Sequence, residues 1–163
     1  MININNAVQF QHLIWDRIMK SASVVVDATC GNGHDLLYLA ERAQSECHLY
    51  GIDIQEQAVS ASRELLASKK LQSNVTITFL HNSHDIALHQ EIKENTIDLI
   101  IFNLGYLPGG DHSIITRPHN TIEALNNSFP KLAKDGIITI VAYPGTPEGM
   151  EEKDALHEYI AQL

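Results

Sequence analysis

The chain has 163 residues, 44% of them hydrophobic, with 11 Lys and Arg against 20 Asp and Glu for a net charge of −9. That length suits one domain over residues 1–163, which buries roughly 70% of its unfolded surface and needs no staple. The acidic balance excludes a broad grip on nucleic-acid phosphates, which takes a basic face. It leaves room for a local contact with a nucleic-acid loop or for a small molecule.

Residues 7–20 space Val8, Phe10, Leu13, Ile14, Ile18 and Met19 as one helical face, with His12 and Trp15 read as packing residues. Val24, Val25 and Val26 form a buried strand that ends in Asp27. A loop containing Gly31 and Gly33 follows, then a helix over 34–43. In an open α/β sheet such a strand–glycine loop–helix holds a ligand beyond the strand's carboxyl end, where free helix N–H groups meet an anion. Dinucleotides and S-adenosylmethionine both use it. The dinucleotide fingerprint needs a third glycine where Leu36 stands. Asp27 suits the ammonium of a methionyl group, so S-adenosylmethionine is the expected cofactor.

A second strand over 48–53 ends in Asp53, placed to accept hydrogen bonds from both ribose hydroxyls, with Gln55 beside the adenine. The helix over 55–69 turns Ala58, Val59, Ser62, Leu65 and Leu66 inward. Residues 75–80 alternate as a strand and lead to Ser83 and His84, set against the base; Ser83 equally suits capping of a helix over 86–92. His81, His84 and His89 have no cysteine or other ligand nearby in sequence, so no metal is expected.

The most apolar run, 97–103, reads as a central parallel strand. It enters Asn103-Leu104-Gly105-Tyr106 and a long loop carrying Asp111 and His112, with His119 just before a helix over 121–132. A fifth strand over 136–142 precedes Tyr143, a pocket wall, and a helix over 150–162. The alternation predicts a Rossmann-like α/β fold, with a parallel sheet in the order 3-2-1-4-5 and helices on both faces. Cys30 and Cys47 lack metal-like spacing and fit a reduced, cytoplasmic setting. No stretch approaches the ~18 apolar residues of a membrane span, and residues 1–6 lack the pattern of a leader.

Asp27-x-Thr29-x-Gly31-x-Gly33-x-Asp35, Asp53-x-Gln55, Ser83-His84, the run from Asn103 through Asp111, and Tyr143-Pro144-Gly145 resemble a small family of class I methyltransferases labelled rRNA methylases. That family includes an enzyme that methylates the aminomethyl group of 5-(aminomethyl)-2-thiouridine at the tRNA wobble position. The resemblance covers nearly the whole chain and implies cofactor contacts at Asn32, Asp35, Asp53, Gln55, Ser83 and His84. It also implies a transient partner, the tRNA anticodon loop. Thr29 stands where many class I enzymes have another glycine, and the two strands that close a class I sheet are missing from the expected elements.

Methyl transfer from a sulfonium is an in-line displacement, so the nucleophile must be positioned. The Asn103 side-chain oxygen and the Leu104 carbonyl can accept an amine's two N–H groups. Tyr106 offers a face for a base, and Asp111, His112 or His119 can take the proton. Three rivals stand beside this reading: an rRNA methyltransferase, a non-catalytic S-adenosylmethionine sensor and a nicotinamide oxidoreductase. Oligomeric state, a homodimer included, is left open by the sequence.

Overall fold

The computed structural model describes residues 6–107, 109 and 114–163. Its strands are β1 (Val24–Asp27), β2 (Cys47–Asp53), β3 (Val75–His81), β4 (Ile97–Leu104) and β5 (Leu132–Ala142). They form one sheet in the order β3-β2-β1-β4-β5, with every pairing parallel, as the alternating pattern predicts. Among the described residues these five are the sheet. β5 begins at Leu132, opposite Ile97, rather than at residue 136, because an irregularity between Ile97 and Leu99 restarts the pairing at Leu99 and Ile137.

The helices are α1 (Ala7–Ile18), α2 (His34–Ala40), α3 (Glu56–Ala67), α4 (His84–Ile86), α5 (Pro118–Ser128) and α6 (Pro147–Ile160). Two of them start earlier than expected, at Pro118 rather than residue 121 and at Pro147 rather than residue 150. A proline at the first helical position loses no hydrogen bond, since that N–H has no partner inside the helix. The Thr146 hydroxyl caps α6 by accepting from Gly149 N–H at 3.1 Å. Instead of a regular helix over 86–92, α4 runs into a π-helical turn, Ala87–Glu91. Ser83 does not cap it through its side chain; its hydroxyl bonds Asp85.

The period of two along each strand sorts the core into two layers. Val25, Leu49, Leu99 and Ile101 pack with Trp15, Met19, Leu36, Leu39 and Leu66, the side of α1, α2 and α3. Val26, Ile52, Ile100, Phe102 and Leu104 pack with Leu88, Ile92, Ala124, Leu125 and Leu156, the side of α4, α5 and α6. The strand order reverses between β1 and β4, so the chain leaves their carboxyl ends toward opposite faces and opens a crevice there.

Candidate active site

The loop after β1 is fixed from three sides. Cys30 N–H donates to the Ile52 carbonyl at 2.8 Å, tying the loop to β2. Gly31 N–H donates to Asp53 Oδ2 at 3.0 Å, while Ser62 of α3 donates its hydroxyl to the Gly31 carbonyl at 2.8 Å. Gly33 turns the chain into α2 at φ +82°, and a Cβ there would come within 2.8 Å of the Ser62 Cα. Only glycine fits that approach. Leu36, which displaces the dinucleotide fingerprint, is fully buried in the layer below.

Across the reversal point, the Asn103 backbone N–H donates to the Thr29 hydroxyl at 2.7 Å. That bond explains a threonine where a glycine is common: its side chain stitches the β1 and β4 loops together. The Asn103 side-chain nitrogen donates to Asp35 Oδ2 at 2.7 Å, and its oxygen is buried without a partner. Beyond Asn103 the chain doubles back through an antiparallel bridge between Tyr106 and Ile115, with Thr116 N–H donating to the Gly105 carbonyl at 3.1 Å. Glu152 of α6, 1% exposed, accepts the hydroxyls of Thr116 at 2.5 Å and Thr121 at 2.7 Å. The base of this loop is thus pinned to the body.

Between the two loops lies a cavity of about 680 Å³. Thr29, Gly31, Asn32, Asp35, Asp53, Gln55, Ser83, His84, Asn103, Leu104, Tyr106 and Tyr143 line it, so the structure brings together most of the residues predicted from sequence. Asp27 and Gly33 do not line it: Asp27 Oδ1 accepts the Thr29 N–H at 3.1 Å, and Gly33 turns the loop into α2. His119 is exposed on α5 and also lies off the cavity wall. Asp111 and His112 lie outside the described residues. No group of three metal-ligating side chains occurs among the described residues.

Burial, and then the charge of Asp35, raise the Asp27 carboxyl well above the ordinary range. Burial likewise raises Asp53, against the lowering effect of backbone N–H groups at Gln55 and Gly31. His84 is lowered by burial and therefore neutral at neutral pH; a hydrogen bond to the Ala28 backbone leaves its Nε2 without a partner. Tyr143 is raised by burial and then by Asp35.

These donors and acceptors suit S-adenosylmethionine. Asp53, at the end of β2, keeps lone pairs for ribose hydroxyls beyond the Gly31 and Gln55 N–H groups it accepts. His84 Nε2 is a buried acceptor awaiting a donor, and Asp35 on the cavity wall favours positive charge. Sequence reasoning missed Ser62 and Glu152 as supports of this site.

The fold is that of the class I methyltransferases. Residues 49–163 match the family described as "Putative rRNA methylase", and the chain belongs to that family. A curated relative, the Arabidopsis thaliana chloroplastic tRNA (mnm(5)s(2)U34)-methyltransferase, is 31% identical over 94% of this chain, which spans 58% of that protein's length. A crystal structure of a putative rRNA-methylase from Clostridium thermocellum matches 99% of this chain and 85% of its own at 36% identity, with a TM-score of 0.89. A putative methyltransferase from Streptococcus mutans, solved in complex with S-adenosylhomocysteine, matches 99% and 84% at 30% identity and a TM-score of 0.84. S-adenosylmethionine is accordingly the cofactor of this chain's class.

Proposed function

We propose that this protein is an S-adenosylmethionine-dependent RNA methyltransferase that N-methylates the aminomethyl group of 5-(aminomethyl)-2-thiouridine at the tRNA wobble position. The observation that carries the reaction class is the Asn103 amide. Its nitrogen is spent on Asp35, and its oxygen is buried with nothing to accept from, in a residue that lines the cavity. An unsatisfied buried acceptor costs about 1–3 kcal/mol, and an amine N–H would recover it. Tyr106 and Tyr143 stand exposed beside it, at 41% and 49%, as faces for a nucleobase.

When bound, S-adenosylmethionine supplies an electrophilic methyl carbon on a sulfonium. The protein's part is positional: Asn103 and the Leu104 carbonyl accept the N–H groups and aim the nitrogen lone pair. The wobble-uridine substrate is supported by the Arabidopsis relative's activity and by the Asn103–Tyr106 run. An rRNA substrate remains the second reading, because the family's description names it. Incubation with labelled cofactor and tRNA that carries or lacks the aminomethyl group, followed by nucleoside mass spectrometry, tests the proposal. Label only in the aminomethylated tRNA is expected. Equal labelling of both, or of ribosomal RNA instead, would overturn the substrate.

A further inference from the structure

His12 does not line the cavity, yet it stands behind the residue that orients Asn103. A carboxylate only accepts hydrogen bonds, so Asp35 Oδ2 at 2.7 Å admits the Asn103 amide in one orientation, nitrogen toward Asp35 and the buried, unpartnered oxygen away from it. The amide is therefore as well oriented as Asp35 is held. The other carboxylate oxygen, Asp35 Oδ1, lies 3.5 Å from His12 Nε2. The imidazole is itself clamped. It stacks on Tyr38 with centroids 3.6 Å apart and planes 19° from parallel, and Trp15 flanks it at 5.0 Å.

The Arg42 guanidinium carbon lies 3.3 Å from the centroid of the same Tyr38 ring. Two groups that close cannot share one face, so Tyr38 is sandwiched between Arg42 and His12. Asp16 locks this stack, accepting from the Tyr38 hydroxyl at 2.9 Å and from Arg42 Nε at 2.8 Å. The ionisable groups around the imidazole are thus Asp35 and Tyr38 in contact, with Arg42 and Asp16 behind the ring. Packing alone explains the aromatic stack. It does not explain why the ring presents a nitrogen to a carboxylate in the cavity wall.

We propose that His12 is a positioning residue for methyl transfer: acting through Asp35, it holds the Asn103 amide with its oxygen turned to the attacking amine. The inference rests on the amine N-methylation reading and adds a residue to it. Two variants separate its parts. His12→Phe keeps a ring against Tyr38 but removes the N–H that faces Asp35; His12→Gln keeps a donor and removes the ring.

The expected result for His12→Phe is cofactor affinity within about twofold of wild type and kcat lower by about tenfold or more, as misorientation at a reacting centre produces. The side-chain amide NMR signal of Asn103, assigned by its loss in Asn103→Asp, should shift in His12→Phe. His12→Gln should recover much of the turnover and the signal position. Full activity in His12→Phe with an unmoved amide signal would overturn the proposal. So would equal losses in both variants that track a common drop in Tm, the mark of packing alone. If wild-type protein leaves aminomethylated tRNA unlabelled, the functional reading falls instead, and the amide signal decides the positioning claim by itself.

Discussion

The Asp53 carboxylate serves two purposes at once. It holds the loops by accepting Gly31 and Gln55 N–H groups, at 3.0 and 2.9 Å, and it keeps lone pairs for a ribose. Hydrogen bonds to charged groups contribute roughly 1.5–3 kcal/mol each. Asp53→Ala should therefore weaken S-adenosylmethionine binding at least about tenfold and also cost about 1–3 kcal/mol of stability. Calorimetric titration and denaturant unfolding check the two effects; unchanged affinity would remove Asp53 from the site. Asp27 makes the opposite case. Its native carboxyl is raised by burial and by Asp35, so the folded state holds more protons than the unfolded chain. Stability then falls as pH rises from the ordinary carboxylate range through the raised native value, and the full penalty remains above it. Asp27→Asn should be more stable than wild type at about pH 8, with the advantage fading as pH falls below about 3, where both states are protonated. A Tm difference independent of pH would refute this.

At the level of elements, the loop that follows β4 depends on a helix far along the chain. Glu152 of α6 is the shared acceptor for Thr116 and Thr121, and Thr116 closes the loop on Gly105. Glu152→Ala leaves two hydroxyls without their acceptor and should cost about 1–3 kcal/mol. It should raise the KM for RNA while cofactor affinity holds, whereas Glu152→Gln should retain most of the wild-type behaviour. Parallel losses of cofactor and RNA would show that the loop is not what Glu152 supports. Such a contact was not legible in advance, because nothing local marks a glutamate on a polar-looking helix as buried. The strands were legible for the opposite reason. The runs of β1, β2 and β4 can be apolar on both faces only where helices cover both. Helices expected from residues 121 and 150 start at Pro118 and Pro147, because a first-turn proline loses no hydrogen bond there. Asp53, His84 and Asn103 were found because strand ends locate ligands in this fold. Ser62 was not, since it acts through a neighbour.

For the whole molecule, the net charge of −9 sets how RNA would be held under the proposed function. Arg117 is the sole lysine or arginine among the described residues of the cavity wall. Each phosphate neutralised on a single strand contributes about −0.7 to the slope of log affinity against log salt. Binding of tRNA should accordingly show a slope no steeper than about −3, and Arg117→Gln should flatten it by about one contact. Filter binding between low and moderate salt measures it. A steep slope untouched by Arg117→Gln would mean that the RNA lies across another face.

The chain's single tryptophan, Trp15, is fully buried and donates its indole N–H to the Thr139 hydroxyl of β5 across 124 residues of sequence. Gln11 reaches the same hydroxyl oxygen at 3.3 Å. During synthesis the first helix emerges long before its docking partner, the fifth strand. Its bond to Thr139 must wait until β5 has been made. Loop-closure entropy makes such distant contacts slow to form. Tryptophan fluorescence should therefore lag the far-ultraviolet circular dichroism signal during refolding, reporting the moment when α1 docks on β5.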